Sequence, residues 1–106
     1  MRHVLYALTS DDHLKKGEYK VGISEDIEGV SGKGGRLASY NNGVDDLRIV
    51  AIWDIGQSSS KSDKFVHSHF KDRLVKKHRE WIRNITLEEI DRYIMYRFRP
   101  DVSRIM

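Results

Sequence analysis

The nine residues LRIVAIWDI, from Leu47 to Ile55, set the strictest limit on what this chain can become. Apart from Arg48 and Asp54 the run is apolar and rich in β-branched side chains. It therefore predicts a strand with no wet face, central in its sheet and covered on both sides. A chain of 106 residues has material for one such core and not for two. The expectation is a single domain, residues 1–106, of the α/β (α+β) class, with a small central three-stranded, mainly antiparallel sheet flanked by helices.

The other two strands are read upstream. HVLYALT (residues 3–9) and EYKVGIS (18–24) are rich in strand formers, and the polar run SDDHLKKGE between them is turn material, so the pair predicts an antiparallel hairpin with a long loop. Alternation puts Tyr19, Val21 and Ile23 on one face, which reads as core, and Lys20, Gly22 and Ser24 on the other. Gly22, inside the strand, predicts close approach by another backbone or by a ligand. Tyr6 shares its face with Val4 and Leu8, so its ring should be buried while its hydroxyl seeks a polar partner.

Glycines at 29, 32, 34 and 35 lead into RLASYNN, read as a helix of about two turns. The serines of GQSSSKSD suit a helix cap, and KSDKFVHSHFKDRLVKKH continues with helical spacing, Val66, Phe70 and Leu74 marking its buried stripe. REWIRN predicts a short strand or extended return. ITLEEIDRYIMYRF predicts a last helix with Thr86 and Glu89 as a capping box. The tail RPDVSRIM, which holds the one proline, is expected to wrap the surface.

Composition narrows the function classes. Lys and Arg outnumber Asp and Glu by 19 to 16, and the pI is near 9.2, compatible with a polyanionic partner such as nucleic acid. The chain has no cysteine, which excludes disulfides and Cys-based zinc sites and leaves histidines and carboxylates as the strong metal ligands. No apolar run approaches the roughly 18 residues of a membrane span, and MRHVLYALTSDD lacks the apolar region of a signal peptide, so a cytoplasmic protein is expected.

Three groups could carry chemistry, and each also has a plain structural reading. Tyr6 is either a core tyrosine bonded to backbone or a site residue beside Lys20 and the bare backbone of Gly22. Arg36 and Tyr40, one helical turn apart after a glycine-rich stretch, suit a phosphate held by two parallel hydrogen bonds, or else form a solvated surface. Asp63, Val66, His67, Phe70 and Leu74 fall on one helical stripe. The Asp63 carboxylate could hold a hard cation such as Mg²⁺ or simply favour the helix dipole, and His67 could act chemically or be a satisfied boundary histidine. His69 points elsewhere, toward the surface.

Taken in order, YKVGIS, the pair Arg36-Leu37, DKFVHSHF from Asp63 and EWI from Glu80 resemble the GIY-YIG nuclease superfamily, and within it the T5orf172 or Meiotically-upregulated-gene-113-like branch. The resemblance covers about residues 3 to 83. It implies a GIY-YIG nuclease-like fold and an Mg²⁺-dependent (or Mn²⁺-dependent) endonuclease hydrolysing phosphodiester bonds in DNA, encoded by a phage or mobile element. A nucleic-acid-binding module that no longer cuts is the alternative within the family, and a protein-interaction module on an unrelated fold is the alternative outside it. By the same resemblance Arg36 contacts the scissile phosphate, Asp63 holds the metal, and Tyr6 assists the attacking water. Tyr40 and His67 occupy positions where members carry a histidine or tyrosine and a histidine. Lys20 and Lys33 would converge with Arg36 on the phosphate. Because tyrosine's reference pKa is about 10, Tyr6 would need help from Lys20 or the metal.

Three positions depart from the family pattern. Val4 replaces the glycine of the first motif, and Asp63 replaces the usual glutamate. Lys20 aligns with the second tyrosine, so a bulge would be required for Tyr19 to take its place. The resemblance further implies that Tyr6, Lys20, Arg36, Tyr40, Asp63 and His67 line one concave surface.

Overall fold

A computed structural model describes residues 2–24, 47–57, 61–76 and 78–106. Among them, strands β1 (Arg2–Thr9), β2 (Tyr19–Ser24), β3 (Arg48–Gln57), β4 (Leu74–Val75), β5 (His78–Ile82) and β6 (Ser103–Arg104) form one sheet in the order β4-β5-β2-β1-β3-β6. Every pairing is antiparallel. The expected three strands are the middle of this sheet, β2-β1-β3, but the sheet has six, so the three-stranded expectation is corrected. β4 and β6 are two residues each, too short to leave a period in the sequence.

The expectation that residues 47–55 are covered on both faces holds, and a register shift explains why the run is so nearly apolar. On one face Leu5, Ala7, Tyr19, Val21, Ala51, Trp53 and Ile55 form a buried cluster; on the other, Val4, Tyr6, Leu8, Ile49 and Ile52 form a second. Strict alternation would separate Ile49 from Ile52. The irregularity between Ala7 and Leu8 in the β1/β3 ladder lets Leu8 pair with Ile49 while Tyr6 pairs with Ile52, so both isoleucines face the same way.

Three helices complete the described part of the fold. The run expected to be turn between β1 and β2 contains α1 (Asp11–Lys15): Ser10 caps it by accepting from the His13 amide at 3.2 Å, with Asp11 and Asp12 in the first turn and Lys15 in the last. α2 (Asp63–His69) starts where expected, though Ser62 at its N-cap makes no side-chain capping bond. It is much shorter than its spacing predicts. After Phe70 the chain tightens into a 3₁₀ turn, Lys71–Arg73, and Leu74 pairs with Ile82 instead of continuing the helix. Here tertiary pairing overrides helical periodicity, helped by Arg73, which binds Glu89 at 2.8 Å and the Asn84 carbonyl at 3.2 Å.

α3 (Leu87–Arg97) turns Ile90 and Ile94 into the core. Thr86 caps it through the Glu89 amide, but the Glu89 carboxylate goes to Arg73, so the expected capping box is half formed. Val66 of α2, Phe70, Ile90 and Ile94 cover the Trp53 side of the sheet. The tail adds β6 to the free edge of β3 rather than merely wrapping the surface. No helix among the described residues is long and apolar enough to cross a membrane.

Candidate functional site

β1 and β2 present Tyr6 and Lys20 on the same face, with Leu8 opposite Lys20 and Gly22 opposite Tyr6. The β1/β2 register runs without a bulge, which decides between Tyr19 and Lys20: Tyr19 lies in the helix-side core and Lys20 is on the Tyr6 side. Tyr6 is 1% exposed, and its ring lies directly over Gly22. A Cβ there would overlap the Tyr6 hydroxyl and come within 2.5 Å of Cζ. The group that approaches Gly22 is thus a side chain of the protein itself, correcting the expectation of a backbone or a ligand.

Gly22→Ala is expected to cost about 1–3 kcal/mol of stability in urea unfolding. Combined with Tyr6→Leu, the loss should be clearly smaller than the two single losses added, because the shorter side chain vacates the space. Strict additivity would show that Tyr6 and Gly22 do not share that volume.

Lys20 is nearly enclosed, and its Nζ lies 3.0 Å from Oε2 of Glu80, whose own side chain is largely exposed. A buried ammonium needs a counter-charge, and β5 delivers one beside Trp81, the residue that pairs with Lys20 across the sheet. Trp81 in turn stacks on His13 at 3.9 Å, and His13 Nδ1 is 2.7 Å from Glu18 Oε1. Of these groups, Lys20 and the EWI triplet were singled out from sequence, and the His13–Glu18 pair was not. The EWI triplet was a signal for Glu80, whereas nothing local in SDDHLKKGE marks His13 and Glu18 as partners.

α2 approaches β2 from the opposite face, with Val66 in the helix-side core. Beyond the Lys20–Trp81 pair no further β2/β5 pairing follows, and the Val21 carbonyl accepts from the His67 ring, Nε2 to O being 3.0 Å. Since a carbonyl only accepts, Nε2 carries a proton and Nδ1 is the one ring atom left to take another. Asp63, half-buried in the first turn of the same helix, makes no hydrogen bond or ion pair with a described residue.

The structure thus brings Tyr6 and Lys20 onto one face of the hairpin, while Asp63 and His67 share a helix that packs on the other face and meets β2 at Val21, so the expectation that these four line one concave surface is corrected: β2 lies between the two pairs. Arg36, Tyr40 and Lys33, with the RLASYNN helix, lie outside the described residues. No group of three or more His, Asp or Glu side chains capable of holding a metal occurs among the described residues. The chemistry of Asp63 nevertheless suits Mg²⁺, which needs only one or two protein oxygens and fills its octahedron with water and phosphate. Glu80, the acid of the EWI triplet, is already committed to Lys20.

Comparison with known proteins adds one finding. The model of the T5orf172 domain family matches residues 3–96, a span that includes every candidate site residue and runs through most of α3. No curated protein and no solved structure matches the chain.

Proposed function

The chain belongs to the T5orf172 domain family, and on that footing we propose that it is a metal-dependent endonuclease hydrolysing phosphodiester bonds in DNA. Membership itself ties the chain to nuclease-like, nucleic-acid-binding function. The single observation that carries the finer reading is the Asp63 carboxylate, uncommitted among the described residues, on the helix that also positions His67 against β2.

Asp63 would hold Mg²⁺ or Mn²⁺, and the cation, when bound, supplies Lewis-acid charge to the phosphoryl oxygens. Arg36 would clamp the phosphate with its planar fork, with Lys33 adding charge and Tyr40 one helical turn away. Lys20, pinned by Glu80, is a fixed cation on the Tyr6 face. The role the resemblance implies for Tyr6, assisting the attacking water, would require its enclosed hydroxyl to act past β2 on the face where Asp63 stands. His67 keeps its Nε2 proton on Val21 and would accept a proton only at Nδ1. The proposal includes a single cytoplasmic domain encoded by a phage or mobile element.

The burial of Tyr6 favours a second reading, a nucleic-acid-binding module that does not cut, because an enclosed hydroxyl is shielded from the attacking water. Incubation with supercoiled plasmid separates the two. Nicking in Mg²⁺ or Mn²⁺ that stops with EDTA is expected of the nuclease. Binding that weakens as salt rises, with no nicking in either metal, would leave only the second reading; a chain that neither binds nor nicks would sink both.

A further inference from the structure

Where the end of α2 meets α3, outside the candidate catalytic residues, His69, Phe70, Glu89, Arg92, Tyr93 and Tyr96 line a hollow of about 390 Å³, within the size range of small-ligand sites, about 300–1,000 Å³. Four of the six lining side chains are rings. His69 stacks on Tyr93 with centroids 4.0 Å apart and planes 14° from parallel, and Phe70 stands edge-on to His69 at 4.6 Å. The Tyr93 hydroxyl donates to the Phe65 carbonyl at 3.2 Å, so that ring is tethered. Burial raises its pKa against the opposing pull of Arg97, which keeps the hydroxyl a neutral donor. Tyr96 is 61% exposed, with the Arg99 guanidinium 4.0 Å above its ring.

The charges of the hollow select its occupant. Among the described residues its one carboxylate, Glu89, is answered by Arg73 at 2.8 Å. The arginine among its described lining residues, Arg92, is exposed and makes no hydrogen bond or ion pair with a described residue. A purely apolar peptide would leave that guanidinium idle, whereas a ligand with a flat ring and an anionic group would use both halves of the lining.

We propose that this hollow binds one unstacked nucleotide of a single-stranded nucleic acid, its base against the Tyr96 and His69 rings and its phosphate on Arg92. The inference rests on the nucleic-acid reading above and adds a second contact point, specific to strand state, at the opposite end of α2 from Asp63. Bases in a duplex offer edges in the grooves, not faces, so a ring-lined hollow of this kind discriminates for unpaired nucleotides.

The test uses a single-stranded oligonucleotide carrying 2-aminopurine and the matching duplex, both titrated in EDTA so that nothing is cut. Tyr96 and Arg92 are exposed, so Tyr96→Ala and Arg92→Ala should fold as the parent does, which circular dichroism checks. Tyr96→Ala is expected to weaken single-strand binding about 10-fold and to relieve the quenching of 2-aminopurine, while Tyr96→Phe retains both. Arg92→Ala should weaken the single strand several-fold and lower the salt dependence of binding by about one counterion. Duplex affinity should stay within twofold for all three. Wild-type binding that survives both alanine variants with quenching intact would overturn this inference and leave the proposed function standing. Equal losses on duplex and single strand would overturn the assignment to unpaired nucleotides, and a wild type that binds neither would remove the inference together with the reading beneath it.

Discussion

Asp63→Asn is expected to slow Mg²⁺-dependent nicking of supercoiled plasmid about 100-fold or more while leaving DNA affinity unchanged or slightly tighter. The amide matches the carboxylate in shape and removes only its charge. Because Asp63 makes no hydrogen bond or ion pair with a described residue, the change breaks no contact there; the cost to folding is limited to the loss of a negative charge in the first turn of α2, about 0.3–1 kcal/mol. Asp63→Glu, which restores the acid usual in the family, should cut at least as fast as the parent, and Arg36→Ala should impair both cutting and binding. Nicking rates from gels, read beside affinities from fluorescence anisotropy, separate these cases. Cleavage that persists undiminished in Asp63→Asn would move the metal to another acid, and Glu80→Gln would be the next variant, with the added signature of releasing Lys20.

Trp53→Ala should destabilise the fold by about 4 kcal/mol, a large share of the roughly 5–15 kcal/mol that holds a typical domain together. Trp53 has no exposed surface, sits in the helix-side core and donates from Nε1 to Asp91 Oδ1 at 2.8 Å. Alanine leaves a cavity between sheet and α3 and strips that carboxylate of a donor. Trp53→Phe keeps most of the volume and loses the bond, so about 1–2 kcal/mol is expected. Urea unfolding followed by circular dichroism gives both values, and Trp81, the second of the two tryptophans, remains as a fluorescent probe. A loss below about 1 kcal/mol for the alanine variant would mean that the core collapses around the gap far more readily than close packing allows.

What could be read from the sequence was whatever repeats locally. The period of two in HVLYALT and YKVGIS places Tyr6 and Lys20 on one face, and the four-residue spacing of Ile90 and Ile94 marks the buried side of α3. Features that depend on where two distant strands meet left no such trace. The Tyr6 ring over Gly22 exists only in one register, as do the Lys20–Glu80 pair and the alignment of Ile49 with Ile52. α2 illustrates the same limit from the other side: the periodic positions Val66, Phe70 and Leu74 suggested a longer helix, and the pairing of Leu74 with Ile82 ended it. α1 was missed because a five-residue polar helix held by Ser10 has the composition of a turn.

The bonds around Trp53 bear on the order in which the chain can mature on the ribosome. Its indole is held by Asp91, and of its two partners across the sheet, Leu5 and Arg104, the second is near the end of the chain, so a residue from the middle waits for two that are synthesised much later. The hairpin of β1 and β2 can form as soon as it emerges, but the layer over Trp53 closes only after α3 and β6 have followed. Translation that stalls between β3 and Asp91 would therefore release the strands β2-β1-β3 with an uncovered indole face, a natural substrate for chaperones and proteases.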